Sequence, residues 1–161
     1  MERPTRTQLL KEIKNYFAIH ELVGKWTYKI HGERAWKFLD DDALECLLII
    51  RKTLGKPMTV NNWYWGGKFS QRGLRTNLQQ LVKNAFYKGK LYLSAHLFGK
   101  AFDFDVEGMT AIEVRKWIVQ NADLFPCKIR LENNLNGNPI NWVHLDTFHE
   151  EQNPKVYLFN V

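Results

Sequence analysis

Ser94-Ala95-His96-Leu97-Phe98-Gly99-Lys100-Ala101-Phe102-Asp103 is the stretch from which the rest of the chain is read. Its histidine and aspartate stand seven positions apart, with a glycine and a small residue between them. An imidazole and a carboxylate are ligands for a zinc ion that keeps one coordination position open, and such a site needs a third protein ligand. Trp142-Val143-His144-Leu145-Asp146 offers a second imidazole. The candidate metal ligands are therefore His96, Asp103 and His144.

Outward from this stretch, Leu91-Tyr92-Leu93 reads as a short strand leading in, and residues 101–106 read as the strand leading out. That strand alternates, with Phe102 and Phe104 on one face and Asp103 and Asp105 on the other. Thr110-Ala111-Ile112-Glu113 has the pattern of a capping box, opening a helix through Val114, Trp117 and Ile118. Residues 127–132 and 140–146 read as two strands, and the turn-rich segment 133–139 between them predicts a hairpin. On its second strand, His144 and Asp146 share a face by the period of two. Residues 155–159 form a candidate last edge strand.

Upstream, Thr7 is placed to cap a helix carrying Leu9, Leu10, Ile13, Tyr16 and Phe17 and stopping at Gly24. Residues 25–39 read as an irregular connector anchored by Trp26, Tyr28, Trp36 and Phe38. Asp40-Asp41-Asp42 starts the clearest helix: one aspartate caps, the others suit the positive end of the dipole. Leu44, Leu47, Leu48 and Leu54 follow at helical spacing, and Gly55 with Pro57 ends it. Residues 58–63 predict a strand, followed by the flexible, cationic loop Trp65-Gly66-Gly67-Lys68-Phe69-Ser70-Gln71-Arg72-Gly73-Leu74-Arg75. The loop is either a basic surface segment or an anion clamp, since an arginine fork matches a carboxylate bidentately. Thr76 or Asn77 then caps a helix with Leu78, Leu81, Val82, Ala85 and Phe86. His20 and His31 lack partners at ligand spacing and read as surface or packing residues.

The 161 residues fit one domain, and 45% hydrophobic with 25% charged residues is the balance of a globular chain, not a disordered one. The expected class is α+β: a small antiparallel sheet with helices packed on it. Cys46 and Cys127 are too far apart in sequence to spell a disulfide framework or a cysteine zinc site, and Cys46 lies on an apolar helix face as a buried thiol. No run is long enough to span a membrane, and Met1-Glu2-Arg3-Pro4-Thr5-Arg6 lacks the apolar core of a signal peptide. Synthesis in the cytoplasm is expected. A net charge of +6 and a pI near 9.3 imply attraction to a polyanion, either nucleic acid or an anionic cell wall. No reading helix or stacking platform is recognisable, so no nucleic-acid partner is expected.

The pattern Ser94-x-His96-x-x-Gly99-x-Ala101-x-Asp103, followed by Trp142-Val143-His144, resembles the zinc D-Ala-D-Ala carboxypeptidase and L-Ala-D-Glu endopeptidase family. That family shares its fold with the hedgehog signalling domain and includes bacteriophage endolysins. The resemblance runs from about Leu22 to Asp146, leaving residues 1–21 as an N-terminal helix and 147–161 as a tail. It implies a zinc ion held by His96, Asp103 and His144, and hydrolysis of stem peptides in peptidoglycan. It also implies a carboxylate grip by Arg72, with Arg75 in reserve. Release to the wall as a phage or prophage lysis enzyme is one implied route; dipeptide processing in the cytoplasm is another. A non-catalytic zinc domain that binds wall peptides or a protein partner is the alternative.

A peptidase of this kind needs a general base near the attacking water. Many members of the family carry a glutamate three positions before the last histidine, where this chain has Asn141; others carry a histidine two positions before it, where this chain has Trp142. The candidate bases here are Glu132, which a hairpin returns alongside His144, and Asp146, which shares its face. A one-residue slip in register would turn Glu132 away.

Overall fold

One mixed sheet carries the site. A computed structural model describes residues 3–161; Met1 and Glu2, the first residues of the charged N-terminal stretch, lie outside the described residues. The strands are β1 (Met58–Thr59), β2 (Ala101–Val106), β3 (Ile129–Leu135), β4 (Asn138–Asp146) and β5 (Val156–Asn160), in the spatial order β1-β2-β4-β3-β5. The first three pairings in that order are antiparallel, but β5 runs parallel to β3, so the expected antiparallel sheet is mixed. The cause is topological. The free edge of β4 is already taken by β2, so the chain leaving β4 pairs with β3 instead and reaches it in the parallel sense.

Strand alternation divides the sheet. Phe102, Phe104, Ile129, Leu131, Val143 and Leu145 are buried in the hydrophobic core. Against them pack α4 (Asp41–Leu54), through Leu44 and Leu47, and α6 (Ala111–Gln120), through Val114 and Ile118. Both helices start as their residues dictate. Asp40 accepts a hydrogen bond from the Ala43 N–H, and Thr110 and Glu113 close a reciprocal capping box. Gly55, in the left-handed region at φ 63°, ends α4.

The remaining helices depart from the sequence reading. Thr5, not Thr7, caps α1 (Arg6–Ile13), which stops well short of Gly24; a separate turn of helix, α2 (Ile19–Leu22), follows. The expected irregular connector is α3 (Lys25–His31) followed by a 3-10 segment, Gly32–Phe38. Before α5 (Gln80–Tyr87), Thr76 and Asn77 stand outside the helix, and Gln79 takes the cap position. The strand expected over 58–63 ends at Thr59, because the Asn61 N–H bonds to Glu21 O and Asn62 to Phe69 O, turning the chain away from the sheet. Residues 91–93 form no strand. No helix among the described residues is long and apolar enough to cross a membrane.

The hairpin forms as predicted, with a tighter turn: Asn136 and Gly137, at φ 50° and 79°, make the two-residue connection. Cys46 and Cys127 are distant in sequence but adjacent in space, their free thiols 3.8 Å apart.

Candidate metal centre

Two cross-strand rows organise the face opposite the core. In one, Asp103 of β2 lies beside His144 of β4, which lies beside Glu132 of β3. In the next, Ala101, Asp146 and Arg130 align in the same way. His96 arrives from outside the sheet, on a 3-10 turn, Ala95–Phe98, that leads into β2. His96, Asp103 and His144 are all buried, and each offers a ligand atom within 4.8 Å of the others. The three predicted ligands are therefore brought together.

Their hydrogen bonds fix which atoms face inward. His96 Nδ1 lies 2.8 Å from the Gly73 carbonyl, which can only accept, so Nδ1 carries the proton. The lone pair then sits on Nε2, a buried atom with no hydrogen-bond partner among the described residues, 3.3 Å from Asp103 Oδ2. A cation between this lone pair and the carboxylate oxygen would satisfy both. His144 is flanked by carboxylates on both sides, with Nδ1 2.7 Å from Asp103 Oδ1 and Nε2 2.8 Å from Asp146 Oδ2. These residues fit a metal ion: two inward imidazole nitrogens and one carboxylate, with Asp146 holding the far nitrogen of His144.

Without a metal, charge is balanced by a proton. Burial opposes charging of His144, yet its hydrogen bonds to Asp103 and Asp146 outweigh this and raise its pKa to about 9. Burial lowers His96, against the pull of Asp103, and keeps it neutral. Burial alone would raise the Asp103 carboxyl, but the hydrogen bond from the charged His144 holds it well below the usual carboxylate range. Glu132 is shifted upward, chiefly by burial and further by Asp103, with His144 and the arginines opposing. Its side chain makes no hydrogen bond among the described residues, whereas both oxygens of Asp146 are engaged. Arg130 bonds them at 2.8 and 3.0 Å, and the Phe148 N–H bonds Oδ1.

Each fixed position of the opening stretch has a physical task. Ser94 caps the turn bearing His96, its hydroxyl accepting from the His96 N–H. Gly99 sits at φ 67°, and a Cβ there would stand 2.1 Å from the Phe38 carbonyl oxygen. Ala101 is fully buried beside Asp146.

The loop read as flexible is pinned. The Leu74 N–H bonds Leu22 O, the Arg75 N–H bonds His96 O, and the Asp103 N–H bonds Arg72 O. A Cβ on Gly73 would lie 2.0 Å from Leu22 O, so glycine is what lets the loop approach and offer its carbonyl to His96. Arg75 donates to Asp103 Oδ2 at 2.9 Å, to Tyr92 Oη and to Gln71 O. Arg72 bonds Asp105 Oδ2 at 2.5 Å and lies over the Phe69 ring. Both arginines border a cleft of about 490 Å³ that reaches Asp103 and Trp142.

Gly73, Tyr92 and Arg130 escaped the sequence reading. Arg130 could have been found by period, since it stands two residues before Glu132 on β3 and so shares its face. Gly73 and Tyr92 act through tertiary contacts with no local signal. Comparison with protein-family models, curated proteins and solved structures finds no match.

Proposed function

We propose that the protein is a zinc peptidase that hydrolyses stem peptides of peptidoglycan. The observation carrying this reading is the row Asp103–His144–Glu132, in which a half-buried carboxylate without a hydrogen-bond partner among the described residues stands directly across from a candidate metal ligand. A zinc ion would be held by His96, Asp103 and His144, and there it would supply a Lewis acid for the scissile carbonyl and lower the pKa of water.

The remaining work falls to the chain's own residues. Glu132 accepts the proton of the attacking water as its oxygen bonds to the carbonyl carbon. The same carboxyl then returns that proton to the leaving amine as the C–N bond breaks. The upward shift of Glu132, set chiefly by burial, raises its proton affinity above that of an ordinary glutamate, as suits a group that must both take and give a proton. Asp146, whose oxygens already serve Arg130, His144 and Phe148, orients His144 and leaves the base role to Glu132. Arg72 and Arg75, at the edge of the cleft, are the residues to meet a substrate carboxylate.

The test is incubation with purified peptidoglycan, reading new amino ends. Release that stops with chelator and in Glu132→Gln supports the peptidase. Both arginines are already paired, with Asp105 and Asp103, so a substrate carboxylate competes with these partners for them. The second reading is a binding domain, since Asn141 and Trp142, just before the last histidine, offer neither carboxylate nor imidazole as a base. Retention of stem peptides without cleavage would establish that second reading.

A further inference from the structure

Beyond the metal cleft, a second groove of about 680 Å³ runs between the start of α3 and α5. Ser70 and Gln71 line both spaces, so the two are adjacent. We propose that this groove binds the N-acetylated amino-sugar strand to which stem peptides are attached, an inference that rests on the peptidase reading of the neighbouring site.

The aromatic residues argue for a sugar. Trp26, Trp63 and Tyr64 line the groove, and Trp26 and Tyr64 are each about half exposed, at 47% and 50%. Aromatic faces gathered along one groove and left open to water, unlike ones exposed singly, point to a binding surface. Tyr64 is held as a fixed plate: His20 stacks on it at 4.0 Å and 19°, with the edges of Tyr28 and Trp65 against this pair. Trp63 is anchored by its indole N–H to the Val23 carbonyl. Rigid aromatic plates receive the C–H faces of a pyranose ring with little loss of side-chain entropy.

The polar rim argues for acetamide and hydroxyl groups. Gln71 spends its amide oxygen on the Leu81 N–H, which leaves its NH₂ to donate. Lys25 and Lys83 line the same groove without a carboxylate partner among the described residues. Each adds ammonium donors suited to sugar hydroxyls and acetamide carbonyls. Two lysines are few for a strand carrying one phosphate per nucleotide, whose binding rests on multiple phosphate contacts.

The groove is tested by titrating the full-length protein with a hexamer of N-acetylglucosamine, followed by tryptophan fluorescence, with a chelator present throughout. That readout needs neither metal nor cleavage, so it fails or succeeds independently of the peptidase reading. The hexamer is expected to bind wild type and Glu132→Gln alike, and at least tenfold more weakly to Tyr64→Ala and to Trp26→Ala. Metal content and circular dichroism of both variants check that they fold. Absence of hexamer binding, unchanged binding in both folded variants, or tighter binding of an oligothymidine to the same groove would overturn the proposal.

Discussion

A metal ion held by His96, Asp103 and His144 would compete with a proton for one atom, His144 Nδ1. In the metal-free centre Asp103 is ionised, His96 is neutral, and His144 keeps its proton up to about pH 9. Binding a metal at neutral pH must therefore expel about one proton. With His144 at about 9, the proton occupies the ligand atom in all but one molecule in about a hundred at pH 7. Apparent metal affinity would be weakened by the same factor, about 3 kcal/mol. It should rise about tenfold per pH unit from 7 towards 9 and level off above.

Calorimetric titration of zinc into the metal-free protein at pH 7 checks this, in two buffers of different ionisation enthalpy. The difference in heat counts the protons, and about one is expected. An affinity that stays flat from pH 7 to 9, or a proton count near zero, would refute the assignment of His144 Nδ1 as the ligand atom.

Stability of the metal-free protein should follow the same groups. Because the His144 pKa is raised on folding, its contribution is fully present below about 6.5 and lost as pH rises through about 9, by up to about 3 kcal/mol. Asp103 is depressed, so its contribution holds above the ordinary carboxylate pKa and fades as pH falls. Thermal unfolding should therefore show a falling midpoint from pH 6.5 to 9 that metal loading removes. Asp146→Asn takes one carboxylate from His144, so metal affinity above pH 9, where proton competition is absent, should drop by about tenfold to a hundredfold, and the levelling of affinity should move below pH 9. Gly99→Ala combines a left-handed backbone with a Cβ 2.1 Å from Phe38 O. It should cost about 2–4 kcal/mol in urea unfolding, and a loss under about 1 kcal/mol would mean the turn is not held there.

Much of the centre was legible because its signals are local. The spacing in Ser94–Asp103 encodes a capped turn, a left-handed glycine and an alternating strand, and each can be read without knowing what lies across the sheet. The same holds for Asp40 and Thr110, whose caps are formed by their own neighbours. What escaped depends on contacts between distant segments. The pinning of residues 72–75 is set by Leu22 and His96, and the split of the first helix and the two helical turns in 25–39 are settled by packing. The direction of β5 follows from which sheet edge was free.

The candidate base shows where that boundary falls. Asn136-Gly137 sets the hairpin so that Leu135 pairs with Asn138 and Asn134 with Pro139. Continued without interruption, that ladder would bring Glu132 against Asn141, three positions before His144. Instead β4 carries extra residues between Pro139 and His144, and the register shifts by three. An odd shift exchanges faces on a strand whose side chains alternate, and this one sets Glu132 and His144 side by side on the face of Asp103. No residue in 139–143 announces such a bulge, because it is defined only by its partner strand. The carboxylate absent from position 141 in sequence is thus supplied from β3 by a bulge in the facing strand.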